Sequence, residues 1–410
     1  MRPTILAAML LIVVAMLGFP ATQATAAGDA VPQFKLDTAW PKPLPNHWQV
    51  GAVDGVFVDS HDLIWIANQS NKLTKYDLAL QLGQGDCCNA APQVIAFDRA
   101  GNVVKHWNVS SGPGACDGYR CLDGVHTIYV DYKNNVWITG HGHGDSQVLK
   151  FDYNGKFLLQ IGGSMEKGCC GNQDTENLGG GTGVAVWPAT NEVFITDGYV
   201  NRRVMVFDAD TGKFKRMWGA YGHPPPQSVM STTTIGTGEL ATKPGTMVSP
   251  EPERKFEGAG ATEWSTVHGV VITPDGIVWI ADRIGNRLQQ FTIDGKFIRE
   301  AFVDRKSSGA TGTVYSFSFS PDMKWVYIAD GGDKRIHILD RVTLQEVGYV
   351  GGEGGQMPGA FNHVHVSSID SSGNIYTGEA AAGAREQRWN LVKGAGYYPN
   401  SATHLIGDEK

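Results

Sequence analysis

The chain has 410 residues and a formal net charge of −7 at neutral pH. This acidic balance argues against a nucleic acid or an anionic membrane surface as the partner. At roughly 150 residues per domain, the length alone would predict two or three domains. Internal repeats, described below, predict a single domain instead.

The amino terminus has the pattern of a secretory signal peptide. A basic start at Arg2 is followed by an apolar run from Ile5 to Phe19, and small residues then lead to Ala24-Thr25-Ala26. This order predicts a cleaved signal peptide over residues 1–26. No later run is apolar for the roughly 18 to 20 residues that a membrane span requires, so we expect no membrane insertion. The mature protein is predicted to be secreted or periplasmic.

From residue 53 onward the sequence repeats a unit of short β-branched and aromatic runs separated by turn residues. The second run of each unit lies at 64–67, 136–139, 193–196, 278–281, 326–329 and 374–377. Four such runs in a repeat of about 40 residues are typical of a propeller blade. A parallel β-helix is the alternative, but its repeats are shorter.

The sixth unit shows only its first two runs, and the segment 33–40 is predicted to supply its outer strand. Such a strand would close the ring and remove the exposed sheet edges of an open array. We therefore predict an all-β fold, a six-bladed β-propeller closed by an N-terminal strand, as one domain over 33–410. A segment rich in Pro, Gly, Ser and Thr at 220–266 is predicted to be a long rim insertion, and its length suggests a functional loop.

Six cysteines, an even number, fall in the connections of the first three units: Cys87, Cys88, Cys116, Cys121, Cys169 and Cys170. In an exported protein, disulfides are the expected use of such a set. We predict bridges between these neighbouring loops. A cysteine-rich metal site is the alternative, but the chain has no C-x-x-C pair.

Three histidines occupy equivalent positions in alternate units. His126, His268 and His365 each precede the aromatic residue of the second run by eleven positions, in units two, four and six. A closed ring would place their imidazoles around the axis. Three neutral imidazoles with an open fourth position are typical of catalytic zinc. The alternative is a polar, solvated ring around the propeller axis. The same position holds Asp54, Thr182 and Tyr315 in the odd units.

The stretches Asp197–Arg203, Val267-His268-Gly269 and Ala281–Arg287 carry a closer resemblance. The chain resembles the NHL class of six-bladed propellers and, within it, peptidyl-α-hydroxyglycine α-amidating lyase, also called peptidylamidoglycolate lyase. The resemblance implies zinc held by His126, His268 and His365, a structural calcium, Tyr199 as catalytic base and Arg283 as an active-site arginine. It further implies cleavage of a C-terminal α-hydroxyglycine to an amide and glyoxylate.

The chain departs from that family at three positions. Gln69 stands where the family has a catalytic arginine, and His363 stands where it has a methionine. Val366 replaces an aspartate associated with calcium, so a calcium site is doubtful. We therefore place Gln69, His363 and Asp54 around the predicted zinc site as possible supporting residues, with His363 as a fourth ligand, a proton shuttle or a packing residue.

The leading functional hypothesis is a secreted zinc-dependent lyase that acts on a small molecule or on the C-terminus of a peptide. One alternative is a non-catalytic NHL propeller that serves as a binding module. Another is a propeller lactonase or hydrolase, whose site uses axial carboxylates. Asp54 is the one carboxylate among the equivalent ring positions. Arg283 could instead pair with Asp282 or Asp330, and Tyr199 could simply pack on the rim. The oligomeric state is left open.

Overall fold

The computed structural model describes residues 30–73, 77–110, 116–140, 145–163, 170–227, 257–307 and 311–392, without the side chains of residues 78 and 81. The predicted signal peptide lies outside the described residues, and the predicted insertion is described only at 220–227 and 257–266. The compact unit that contains the strands begins at Pro32. None of the helices in this described part has the length and apolar character needed to cross a membrane.

The described residues form short strands connected by turns. In chain order the strands are β1 (Phe34–Asp37), β2 (Trp48–Gln49), β3 (Val53–Val58), β4 (Ile64–Asn68), β5 (Asn89–Ala90), β6 (Val94–Phe97), β7 (Val103–Trp107), β8 (Val125–Val130), β9 (Val136–Gly140), β10 (Gln147–Phe151), β11 (Phe157–Gly162), β12 (Gly181–Trp187), β13 (Glu192–Asp197), β14 (Arg203–Asp208), β15 (Phe214–Trp218), β16 (Val267–Ile272), β17 (Ile277–Asp282), β18 (Arg287–Thr292), β19 (Phe297–Phe302), β20 (Ser316–Phe319), β21 (Trp325–Asp330), β22 (Arg335–Asp340), β23 (Glu346–Gly351), β24 (Val364–Ile369), β25 (Ile375–Glu379) and β26 (Arg385–Leu391). The helical elements are one short α-helix, α1 (Leu78–Gln81), and 3₁₀ turns at Pro45–His47, Ser70–Lys72, Ala220–Gly222 and Ala381–Gly383.

Six four-stranded antiparallel sheets make up the fold, and we call them blades one to six. They are β3-β4-β6-β7, β8-β9-β10-β11, β12-β13-β14-β15, β16-β17-β18-β19, β20-β21-β22-β23 and β24-β25-β26-β1. β2 and β5 add a small parallel pair. The predicted all-β, six-bladed propeller is confirmed.

Blade six combines the two ends of the domain. β1 is its outer strand and pairs antiparallel with β26, with Phe34 opposite Leu391. The prediction that the sixth unit keeps only its first two strands was wrong, because β26 is its third. That strand reads Arg-Glu-Gln-Arg-Trp-Asn-Leu, and Trp389 is its one fully buried apolar side chain. Its pairing with β1 and β25 stabilises a strand that has little apolar pattern of its own.

Aromatic residues of the second strands fill the space between blades. Trp65, Trp137 and Tyr376 are fully buried. Each also donates a hydrogen bond to an aspartate of the preceding turn: Trp65 to Asp59 at 2.7 Å, Trp137 to Asp131 at 2.9 Å and Tyr376 to Asp370 at 3.2 Å. The repeated aromatic position therefore stabilises both the core and the turn between the first two strands of a blade.

The predicted disulfides are present, but those that are described do not bridge neighbouring loops. Cys87 pairs with Cys88, and Cys116 pairs with Cys121 across a Cα–Cα distance of 5.2 Å. Cys170 is also disulfide-bonded. The prediction of bridges between loops was wrong for these two pairs. The sequence predicts that the loops share a face, but each of these four cysteines pairs within its own loop.

A buried carboxylate in β26 makes stability depend on pH. Glu386 is 9% exposed, and burial raises the pKa of its carboxyl from 4.5 to about 7. Its Oε2 has no hydrogen-bond partner among the described residues. Because the folded state binds this proton more tightly than the unfolded state, the carboxyl destabilises the fold increasingly from about pH 4.5 to about pH 7.

We expect Glu386→Gln to raise the free energy of unfolding at pH 8 by about 2–3 kcal/mol, because an isosteric neutral group replaces a buried charge. At about pH 3, well below the ordinary pKa of 4.5, the carboxyl is protonated in both states, so the gain should disappear. Urea unfolding at the two pH values measures the difference. Glu176→Gln, at an exposed position, is the control and should change little. A gain that is the same at both pH values would contradict the assignment.

Candidate metal centre

Three imidazoles meet at the propeller axis. His126 lies in β8, His268 in β16 and His365 in β24, the first strands of blades two, four and six. They are 1%, 2% and 5% exposed, and their ring centroids are 4.8–5.1 Å apart. One ring nitrogen from each lies within 4.8 Å of the others. The structure thus brings together the three predicted histidines, and the group can hold one metal ion.

Hydrogen bonds to neighbouring blades orient the rings. Nδ1 of His268 lies 2.6 Å from the carbonyl oxygen of Tyr315, and Nδ1 of His365 lies 2.7 Å from that of Asp54. A carbonyl oxygen only accepts, so Nδ1 carries the proton in both rings and Nε2 keeps its lone pair. Backbone carbonyls in this role are typical of the groups that orient metal-binding histidines.

His126 is oriented through one intervening hydroxyl. Its Nδ1 lies 3.1 Å from Oγ1 of Thr127, and that hydroxyl donates to the carbonyl oxygen of Thr182 at 2.6 Å. Oγ1 therefore accepts from Nδ1, and Nε2 is again left without a proton. The three carbonyls belong to Asp54, Thr182 and Tyr315, the residues that occupy the histidine position in the odd blades. Even blades supply the three histidines, and backbone carbonyls of odd blades orient them.

A second set of hydrogen bonds positions the backbone just ahead of each histidine. The N–H groups of the residues two and three positions earlier donate to one buried carboxylate, which we call the carboxylate clamp. The clamps are Asp145 with Asp123 and Gly124, Asp282 with Ser265 and Thr266, and Glu379 with Asn362 and His363. Sequence reasoning missed this role, although the acidic residues that end β17 and β25, Asp282 and Glu379, are a visible signal. Asp145 ends no strand and gives no such signal.

Blades three and four carry matching carboxylate clamps. A histidine follows the clamp of blade four, and a threonine follows that of blade three. Asp282 Oδ1 accepts two backbone N–H groups at 3.0 Å and Oδ2 accepts from Arg287 at 2.9 Å. Asp197 does the same with two backbone N–H groups and Arg203, all at 2.9 Å. The first clamp precedes His268, whereas the second precedes Thr182.

We expect Asp282→Asn to weaken zinc binding about 10- to 100-fold, the usual effect of losing a supporting hydrogen bond at a metal site. Asp197→Asn should cost a similar amount of stability and leave zinc affinity nearly unchanged. Competition with a chelator measures both dissociation constants, and thermal unfolding reports stability. Equal losses of affinity in the two variants would show that the clamps do not act on the histidine.

Tyr199 reaches the histidine group from blade three. Its hydroxyl lies 2.7 Å from Nε2 of His126 and 3.3 Å from Nε2 of His268, and the residue is 9% exposed. Burial raises the pKa of the phenol, and the positive charge of Arg283 opposes that rise. Gly198 permits this approach, because a Cβ there would lie 1.6 Å from the carbonyl oxygen of Val267. Tyr199 therefore contacts the site instead of packing on the rim.

Arg283 follows β17 and is 3% exposed. Its Nη1 lies 3.4 Å from Nε2 of His268, and its guanidinium lies 4.8 Å from the centre of the Tyr315 ring. Nε and Nη2 have no hydrogen-bond partner within the described part of the chain. The alternative ion pairs are not formed, since Asp282 bonds to Arg287 and Asp330 to His337. A buried guanidinium with unused donors suits a carboxylate ligand.

Asp54 and Gln69 form a buried pair at the same end of the propeller. The Gln69 amide donates to Oδ2 of Asp54, and the two residues are 8% and 5% exposed. Burial raises the pKa of Asp54 to about 7, while the Gln69 hydrogen bond and the charge of Lys72 oppose the rise. Asp54 also lines, with the three histidines, an axial cavity of about 330 Å³.

The structure places His363 and Val366 outside the ligand group. The ring of His363 packs 5.1 Å from that of Tyr315. Burial, together with the charges of Lys334 and Arg283, lowers the pKa of His363 to about 4. Its nitrogens are not among the ring atoms that converge with the three histidines. Val366 lines the axial cavity with an apolar side chain, which cannot coordinate calcium.

The sequence is similar to two groups of known proteins. No protein-family model matches the chain. Over 200 residues the sequence is 29% identical to peptidylglycine alpha-amidating monooxygenase of Rattus norvegicus, a match that covers 48% of this chain and 16% of that protein. It is 23% identical over 327 residues to NHL repeat-containing protein 3 of Mus musculus, covering 75% of this chain and 70% of that protein.

Among solved structures, virginiamycin B lyase from Staphylococcus aureus has 12% sequence identity and a TM-score of 0.46, over 87% of this chain and 89% of that chain. The sequence matches confirm the predicted resemblance. The chain is similar to part of the amidating monooxygenases and, over most of its length, to an NHL-repeat protein.

Proposed function

We propose that the protein is a zinc-dependent lyase that cleaves an N-acyl α-hydroxyglycine to an amide and glyoxylate. One observation carries the proposal: the three buried histidines, the Tyr199 hydroxyl and the unused donors of Arg283 lie together at one site. The similarity to amidating monooxygenases supports it. A binding module would not need a buried tyrosine hydroxyl against metal-binding histidines.

The donor set fits zinc. Three Nε2 atoms without protons, oriented by hydrogen bonds at Nδ1, are what tetrahedral zinc takes at a catalytic site. When bound, the ion would supply a Lewis acid that polarises a substrate oxygen. A divalent charge there would also favour the phenolate form of Tyr199, against the effect of burial.

The side chains then have separate tasks. Arg283 holds the substrate carboxylate through its Nε and Nη2 donors. Tyr199 takes the proton from the α-hydroxyl, the hydroxyl oxygen forms the aldehyde carbonyl, and the C–N bond breaks. The amide nitrogen takes the bonding electron pair and a proton, which Tyr199 returns. No oxidant or reductant is required, because the α-carbon enters the reaction already hydroxylated.

The proposal extends to where the protein works. Residues 1–26 would direct export and be removed, leaving one propeller domain over 33–410. The disulfides accord with an oxidising compartment. The substrate would be a small molecule or a peptide with a C-terminal α-hydroxyglycine.

Metal analysis and a glyoxylate assay test the proposal together. The purified mature protein should contain one zinc per chain and release glyoxylate from α-hydroxyhippurate, and chelation followed by zinc should remove and restore the rate. Zinc without glyoxylate release would mean that the metal serves another substrate. A protein that binds no metal would favour the binding module.

A further inference from the structure

We propose that Asp54 and Gln69 form a second recognition element that accepts a hydrogen bond from the substrate's amide N–H, across the axis from Arg283. The inference rests on the proposed function, since it names the chemistry of the group next to the scissile bond. It assigns to these two residues a specificity role for amides over esters.

Gln69 and Arg283 occupy equivalent positions in opposite blades. Gln69 directly follows β4 of blade one, and Arg283 directly follows β17 of blade four. Their backbones are held alike, because the Gln69 N–H donates to the Ala52 carbonyl at 2.8 Å and the Arg283 N–H donates to the Thr266 carbonyl at 2.9 Å. The first strands of successive blades contact one another around a ring of six, so blades one and four are three steps apart. The two side chains therefore enter the site from opposite sides.

The Asp54–Gln69 pair presents hydrogen-bond acceptors. The Gln69 amide nitrogen faces Asp54 and donates a hydrogen bond to its Oδ2. This leaves Oε1 of Gln69 as an acceptor beside the acceptor oxygens of Asp54. Both residues are almost fully buried, and Lys72 makes its ion pair with Asp123 at 2.9 Å. One wall of the site therefore accepts hydrogen bonds, and the opposite wall donates them.

Both walls are connected to one reacting group, the Tyr199 hydroxyl, through the histidine rings. The Tyr199 hydroxyl and Nη1 of Arg283 both lie within 3.4 Å of Nε2 of His268, and Asp54 lines the axial cavity with the three histidines. A substrate centred at Tyr199 can thus present a carboxylate to Arg283 and a donor to the Asp54–Gln69 pair. An N-acyl α-hydroxyglycine carries both groups on the same carbon. A peptide amide N–H or an N-acylated small molecule would satisfy the site equally.

Binding of two unreactive analogues tests this inference without requiring turnover. Hippurate and O-benzoylglycolate have the same shape and carboxylate, but the ester oxygen replaces the amide N–H. The zinc-loaded wild-type protein should bind hippurate about 10- to 100-fold more tightly, the range expected for a hydrogen bond to a buried charged acceptor. Titration calorimetry measures both dissociation constants.

Substitutions of Asp54 and of Gln69 test whether this pair causes the preference for hippurate. In Asp54→Asn and in Gln69→Leu the preference should fall to about threefold or less, with zinc content unchanged. In the matched variant Arg283→Met both analogues should bind more weakly and the preference should persist. Equal binding of the two analogues by the wild type, no binding of either, or a preference retained in both variants would overturn the inference. A preference for hippurate without glyoxylate release would uphold the recognition element and reject the lyase reaction.

Discussion

Replacing His268 with alanine is expected to weaken zinc binding more than about 100-fold, beyond the effect of losing a supporting residue at such a site. The metal would keep only two imidazoles, His126 and His365. The fold should survive, because Val267 and Val270 supply the core packing of this strand. The His268 ring instead contacts site side chains at the axis, Tyr199 and Tyr315 among them. Zinc per chain measured by elemental analysis, with circular dichroism as the fold readout, checks both statements.

The matched control is Thr182→Val, which changes the equivalent residue of blade three. Its hydroxyl donates to the carbonyl oxygen of Val267 at 2.8 Å and lies within 2.9 Å of Thr196 Oγ1. Losing these bonds should lower stability by about 1 kcal/mol and leave zinc binding intact. Full zinc retention in His268→Ala would remove the metal assignment, whatever happens to Thr182→Val.

Replacing Tyr199 with phenylalanine is expected to lower the rate of glyoxylate release about 10²- to 10⁴-fold, the usual contribution of a positioned acid or base. The ring remains, so the packing against His126 and His268 at centroid distances of 5.1 and 5.7 Å should persist. Zinc content and substrate binding should therefore change little, and the loss should fall on kcat. Steady-state kinetics on the zinc-loaded proteins separates kcat from KM.

Tyr221→Phe is the control for removing a tyrosine hydroxyl. The Tyr221 hydroxyl lies 2.9 Å from Glu300 and 3.0 Å from Arg287, so its loss affects a network between blades three and four. It should lower stability and leave kcat unchanged. A Tyr199→Phe variant as active as the wild type would assign proton transfer to another group and leave the metal site standing.

Much of the fold could be predicted from the sequence because a propeller repeats one local pattern. Each blade repeats short β-branched and aromatic runs, and turn residues separate the strands. The shared offset from histidine to aromatic residue fixes the same register in each blade, as in Trp137 and Trp279. Equivalent register in a closed ring places equivalent residues at equal depth on the axis. The convergence of His126, His268 and His365 follows from that alone.

Strand β26 could not be predicted in the same way. Its polar sequence becomes a strand because β25 and β1 offer hydrogen bonds on both sides. β1 comes from the other end of the domain, some 350 residues earlier, so no local pattern shows the partner. The disulfide pairing likewise depended on loop geometry that spacing does not reveal.

The sequence by itself therefore determined the number of blades and the identity of the three histidines at the axis. Tertiary structure alone decided how those histidines are held and what surrounds them. The carbonyls that orient His268 and His365 belong to backbone groups, which every residue type possesses. The pairing of Gln69 with Asp54 in blade one and the unused donors of Arg283 depend on which side chains meet near the axis. Such contacts between residues far apart in the sequence leave no periodic signal in the chain, so only the closed ring reveals them.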